Sequence, residues 1–148
     1  MPIKRLPASL IKLINLEILD LGCSSITKLP SDLYKLRSMK FLCLDHCEDL
    51  QYLPCTISRP TSLQYLLMYG NETLCKREGE HKRAKKVASI NTLASLNQLK
   101  TLLLTSNEDT FPEGIFGAGT QMDFLDLTLT KMQSLPREKA VIGMFSVG

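Results

Sequence analysis

Met39–Pro54 reads MKFLCLDHCEDLQYLP. Its apolar residues fall on a template, L-x-x-L-x-L-x-x-C-x-x-L-x-x-L-P, with Met39 in the first leucine slot. Leu42 and Leu44 follow, then Cys47, Leu50, Leu53 and Pro54. One copy would be a chance spacing, but the template recurs on both sides. Upstream, Leu16, Leu19, Leu21, Ser24, Ile26, Leu29 and Pro30 repeat it, one residue shorter in the middle. Ile3, Leu6 and Pro7 are the second half of an earlier copy. Downstream, Leu63, Leu66, Met68 and Asn71 form a first half. Leu99, Leu102, Leu104, Asn107, Phe111 and Pro112 come next, and Met122, Leu125, Leu127, Thr130, Met132, Leu135 and Pro136 close the series. The Leu-Pro marks at 6–7, 29–30 and 53–54 lie 23 and 24 residues apart.

A period of that length with this consensus is the signature of a leucine-rich repeat, in which each unit supplies one strand and one return segment. The expected architecture is α/β: a solenoid of about five units with a parallel concave sheet and short helices or turns on the convex side. Strand side chains alternate, so Leu19 and Leu21 face the core while Ile18, Asp20 and Gly22 face outward. On the return side, Leu10 and Leu13, and likewise Leu33 and Leu36, sit three apart, which suits a helical turn, with Ser31 as its N-cap. The slot read as Ser24, Cys47, Asn71, Asn107 and Thr130 holds small side chains able to donate a hydrogen bond. Their role is to pair backbone groups inside the turn after each strand.

The period breaks once. Met68 and Leu104 are 36 residues apart. The excess is a basic loop insertion over about 72–88, as insertions in solenoids fall on loops. The rest forms one domain over 1–148. It opens mid-repeat and has no polar cap at either end, so the expectation is either a fragment of a longer protein or ends covered by something else.

Composition narrows the function. Net charge is +3, but residues 76–86, KREGEHKRAKK, carry six Lys/Arg and two Glu, so the remainder has a net charge of −1. A near-neutral body argues against nucleic acid as a partner. No run of apolar residues is long enough to span a bilayer, and the N-terminus lacks the form of a signal peptide. Five cysteines without a C-x-x-C pair read as free thiols in a reducing, cytoplasmic setting, with nuclear entry through Lys82–Lys86 as the further option.

No motif for chemistry survives inspection. Gly114–Gln121 resembles a phosphate loop but has Thr120 in place of the lysine and Gln121 in place of the Ser/Thr. Cys43, His46 and Cys47 lack the four suitably spaced ligands of a structural zinc site. Asp45-His46 lacks the third partner of a triad. Asn71-Glu-Thr73 fits a glycosylation sequon, but Asn71 is an inward slot residue. The expectation is therefore a protein that is not an enzyme, with no cofactor, no metal and no small-molecule substrate.

The outward strand positions form three columns across the concave face. They are Ile18, Phe41, Tyr65, Thr101 and Phe124; then Asp20, Cys43, Leu67, Leu103 and Asp126; then Gly22, Asp45, Tyr69, Thr105 and Thr128. Strands about 4.8 Å apart would gather Phe41, Tyr65 and Tyr69 into one aromatic cluster. Contiguous exposed aromatics mark protein-binding sites. The candidate site is thus Ile18, Asp20, Phe41, Cys43, Asp45, Tyr65, Leu67, Tyr69, Leu103, Phe124 and Asp126.

Leu16–Leu21 through Ile26–Pro30, and Leu42–Leu44 through Cys47, Leu50, Leu53 and Pro54, resemble the repeats of plant intracellular nucleotide-binding leucine-rich-repeat disease-resistance proteins. The Cys-x-x-Leu-x-x-Leu-Pro form is typical of that family, and the similarity covers roughly residues 3–136. The L-x-G-x-I-P form of secreted plant repeats does not occur here. Intracellular Ras-group-related leucine-rich-repeat proteins share the Leu-Pro mark. The resemblance implies effector sensing or autoinhibition in plant defence. The implied partners are a pathogen effector, a guarded host protein or the receptor's own nucleotide-binding domain. The family's nucleotide-binding and signalling domains have no counterpart in this sequence. The alternative is a stand-alone intracellular scaffold or adaptor outside immunity.

Overall fold

A computed structural model describes residues 3–59, 62–71, 93, 95–106 and 123–129. Five strands, β1 (Ile18–Asp20), β2 (Phe41–Cys43), β3 (Tyr65–Met68), β4 (Thr101–Ser106) and β5 (Phe124–Leu129), form one sheet in chain order. Every pairing is parallel. Parallel neighbours need a crossover between them. Here, between the first strands, it is a single short 3₁₀ turn: η1 (Ala8–Lys12) precedes β1, η2 (Ser31–Lys35) lies between β1 and β2, and η3 (Cys55–Ser58) between β2 and β3.

The Leu-Pro mark now has a physical account. Pro7, Pro30 and Pro54 each stand immediately before a 3₁₀ turn, with φ near −65° and ψ near 140°. The ring fixes that φ, and proline loses nothing by lacking an N–H there. Its carbonyl accepts the first bond of the turn, from Leu10, Leu33 and Ile57 respectively, at 2.9–3.1 Å. Proline therefore fills the capping position in all three turns, with no side-chain cap. Ser31 is the first residue of η2 and not its N-cap, which corrects the sequence expectation. Its carbonyl instead accepts the Thr56 hydroxyl of the next turn at 2.6 Å. The turns are also tighter than α-helices. The i to i+3 bonding brings Leu33 and Leu36 onto one side, as 3₁₀ geometry requires, and both are buried.

Strand starts repeat one device. The carbonyl of Glu17 accepts both the Lys40 and Phe41 amides; Lys40 does the same for Gln64 and Tyr65, Gln64 for Lys100 and Thr101, and Lys100 for Asp123 and Phe124. One acceptor, with its two lone pairs, thus serves two donors at each step. This locks neighbouring strands in register at their first residue.

The core lies between the sheet and the turns. Leu19, Leu21, Leu42, Leu44, Leu66, Met68, Leu102 and Leu104 supply the sheet side. Ile26, Leu29, Leu33, Leu36, Leu50, Leu53, Ile57, Leu63, Leu93, Leu96 and Leu99 supply the other. These are the slot residues expected to be inside. Leu6, Leu10 and Leu16 are only partly buried, because β1 is the edge strand and has a neighbour on one side alone.

The slot after each strand forms a ladder along the stack. Cys47 Sγ donates to the Leu21 carbonyl at 3.1 Å, and Asn71 Nδ2 donates to the Leu44 carbonyl at 2.7 Å. Each side chain reaches back one unit and gives a second, shorter hydrogen bond to a carbonyl that also accepts a backbone amide, Leu21 from Ser24 at 3.2 Å and Leu44 from Cys47 at 3.3 Å. Ser24 Oγ lies 3.5 Å from Cys47 Sγ in the same line. The Asn107 and Thr130 slots, the basic segment 72–88 and the Gly114–Gln121 stretch lie outside the described residues.

Candidate functional site

The register aligns the outward columns as the template predicted. Ile18, Phe41, Tyr65, Thr101 and Phe124 are consecutive partners across the sheet, as are Asp20, Cys43, Leu67, Leu103 and Asp126. Thr105 pairs with Thr128 in the third column. Gly22, Asp45 and Tyr69 extend that column just beyond the strands. The Cys23 amide donates to the Asp45 carbonyl, and the His46 amide to the Tyr69 carbonyl, both at 2.8 Å.

Ile18 is 65% exposed, and Tyr65, Tyr69 and Phe124 are about 40% exposed. Phe41, Asp45, Leu67 and Leu103 are half-buried and Asp20 is exposed. Phe41 and Tyr65 pack with ring centroids 6.2 Å apart, within the range of a favourable aromatic pair. Tyr69 does not join that pair. It sits two columns over and meets His46 edge-on at 5.5 Å. The expected single aromatic cluster is therefore two separate pairs.

Cys43 departs further. It occupies an outward register position, yet it is buried. Its neighbours cover it. A Cβ placed on Gly22 would lie 3.2 Å from Asp20 Oδ1, 3.4 Å from Cys43 Sγ and 3.6 Å from the Asp45 carbonyl oxygen, so these atoms close around one point. Burial pushes the Cys43 thiol up to about 11. The Asp45 and Asp20 carboxylates add to the rise, and a backbone hydrogen bond at Asp45 opposes it. A thiol held in its neutral form is neither a nucleophile nor a ready metal ligand. Cys43 thus belongs to the floor of the face.

Both aspartates are oriented by backbone amides. Asp20 Oδ1 accepts the Gly22 N–H at 2.9 Å, and Asp45 Oδ1 accepts the Tyr69 N–H at 2.7 Å. Among the described residues the ion pairs are Lys35–Asp32 and Lys40–Glu17, and neither involves Asp20 or Asp45. No three His, Cys, Asp or Glu side chains among the described residues are grouped to hold a metal ion.

One feature of the site was missed in the sequence. Cys23, His46 and Gly70 stand one unit apart, and all three have positive φ, at 56°, 53° and 74°. The chain therefore leaves each of β1, β2 and β3 through a left-handed residue. Only Gly70 signals this strongly in its residue type. The repeat spacing would have extended it to Cys23 and His46. The His46 ring lies over Gly70, where any Cβ would meet Nδ1 and Cε1. Gly70 thereby makes room for the ring that Tyr69 contacts.

No protein-family model matches the chain, and no curated protein is significantly similar to it. No helix among the described residues is long and apolar enough to cross a membrane.

Proposed function

We propose that this chain is a leucine-rich-repeat solenoid whose outward sheet face is a concave protein-recognition surface, without catalytic activity. Supporting the repeat reading are the period of 23 and 24 residues between Leu-Pro marks, the parallel strands in chain order and the back-reaching ladder of Cys47 and Asn71. The observation that carries the functional reading is the row of exposed Ile18, Tyr65, Tyr69 and Phe124 on one face. Large apolar side chains aligned across neighbouring strands cost hydration free energy until something covers them. Tyrosine in particular offers broad contact area at low entropic cost.

The resemblance to plant intracellular immune receptors gives this surface a role: sensing an effector or guarded host protein, or restraining a nucleotide-binding domain, within the cytoplasm or nucleus. The test is expression of the chain in plant tissue with crosslinking and affinity capture, comparing the parent with Tyr65→Ala plus Phe124→Ala. Partners lost in the double variant, at unchanged thermal stability, support the reading. Captured proteins identical for both variants would sink it.

A further inference from the structure

Ile18, Phe41, Tyr65 and Phe124 form the apolar column of this face, and Asp20 and Asp45 stand in the two columns beside it. Each carboxylate is anchored by one oxygen to a backbone amide. Neither has a basic partner among the described residues. Lys40, just before β2, is already paired with Glu17 at 2.9 Å. On this face, the two carboxylates and the exposed rings therefore stand without an ion-paired cation among the described residues.

We infer that the occupant of this face is a polypeptide segment carrying an arginine or lysine next to an aliphatic or aromatic residue, with its cation drawn by the Asp20 and Asp45 carboxylates, the latter beside Tyr69, and its apolar neighbour on the column of Ile18, Tyr65 and Phe124. This rests on the reading of the face as a protein-recognition surface and names the chemistry of its partner. Three physical facts favour it. Anchored carboxylates do not reorganise when a cation arrives, so the ordering cost is already met. Guanidinium and ammonium groups are drawn to both carboxylate oxygens and aromatic faces, and the two attractions act together here. An acidic partner would face two aspartates that have no ion-pair partner among the described residues, which disfavours it by like-charge repulsion. The apolar column then accepts the neighbouring side chain, with Ile18 and Phe124 exposed at its two ends.

The experiment is selection of random dodecapeptides displayed on phage against the immobilised chain, followed by fluorescence anisotropy with the enriched peptides. Asp20→Asn plus Asp45→Asn is the deciding variant. Asparagine keeps the Oδ1 acceptor for the Gly22 and Tyr69 amides, so the charge is removed and the geometry kept. The expected result is enrichment of peptides with Arg or Lys beside a bulky apolar residue. Their affinity should fall about tenfold or more in the double variant, and with rising salt in the parent. Enriched peptides without basic residues, or equal binding by parent and double variant, would overturn the inference. If those same peptides still required Tyr65 and Phe124, the recognition surface would stand. Binding indifferent to Tyr65→Ala and Phe124→Ala as well would overturn both.

Discussion

Gly70→Ala is the most informative single change to the scaffold. Gly70 has φ of +74°, and a Cβ there would lie 2.4 Å from His46 Nδ1 and 2.7 Å from His46 Cε1. Two costs follow. The left-handed backbone disfavours an L side chain by about 1–2 kcal/mol. The His46 ring must also swing away, losing its edge-on contact with Tyr69, worth about 0.5–1 kcal/mol by analogy with aromatic pairs. The expected destabilisation is about 1.5–3 kcal/mol, a shift of roughly 1 M in the urea midpoint for an m-value near 2 kcal/mol/M. His46→Ala separates the terms. In that background the ring is gone, and Gly70→Ala should cost only the backbone share of about 1–2 kcal/mol. Urea titrations of the four proteins, followed by far-ultraviolet circular dichroism, measure the cycle. A neutral Gly70→Ala would refute the left-handed turn. A cost independent of His46 would refute the placement of the ring over Gly70.

Further expectations concern packing, the ladder and titration. Leu44 is fully buried, so Leu44→Ala should cost about 2–5 kcal/mol, whereas Tyr65→Ala on the outward face should cost about 1 kcal/mol or less; equal losses in urea melts would mean the strand register is reversed. Asn71→Ala removes the shorter of the two hydrogen bonds to the Leu44 carbonyl and leaves the Cys47 amide at 3.3 Å, so it should cost about 0.5–1.5 kcal/mol. Cys47→Ala removes a weaker sulfur donor and should cost less by the same measurement. Cys43 has its thiol raised to about 11 from 9.0. Below pH 9 both folded and unfolded thiols stay protonated and its contribution is intact; as pH climbs from 9 toward 11 the unfolded chain releases the proton first, so stability falls over that window. Mass spectrometry after iodoacetamide treatment of the folded protein near pH 8 should therefore find exposed Cys23 modified and Cys43 intact.

The columns were legible in advance because strand alternation and the repeat together fix which residues share a face. Ile18, Phe41 and Tyr65 needed only counting from one leucine to the next. The slot residues were equally legible, since Cys47 and Asn71 stand at the same offset from their strands. Depth within a face was another matter. Cys43 has an outward register, and its burial comes from Asp20, Gly22 and Asp45 closing over it, which no single-strand pattern encodes. Ser31 misled because its residue type suits an N-cap, while the proline before it already holds that position. Leu16 fits the core slot, but its burial depends on a neighbour that an edge strand lacks. Cys23 hid a left-handed turn behind a residue type that rarely adopts one, and His46, of a type more often found there, signals it only weakly.

The doubled amide contacts at each strand start carry a consequence for how such a chain can change over generations. Partners in β1 and β2 are 23 residues apart, those in β2 and β3 are 24 apart, and those in β3 and β4 are 36 apart, with the sheet continuous throughout. The pairing is set by the strand and its first carbonyl, and is indifferent to the length of chain between. Duplication of a whole unit, or insertion of a foreign segment after Asn71, leaves every column aligned. A single residue gained within a strand inverts its faces. Selection on such a gene is therefore free to lengthen the array and to remodel its return loops while preserving, column by column, the surface presented to a partner.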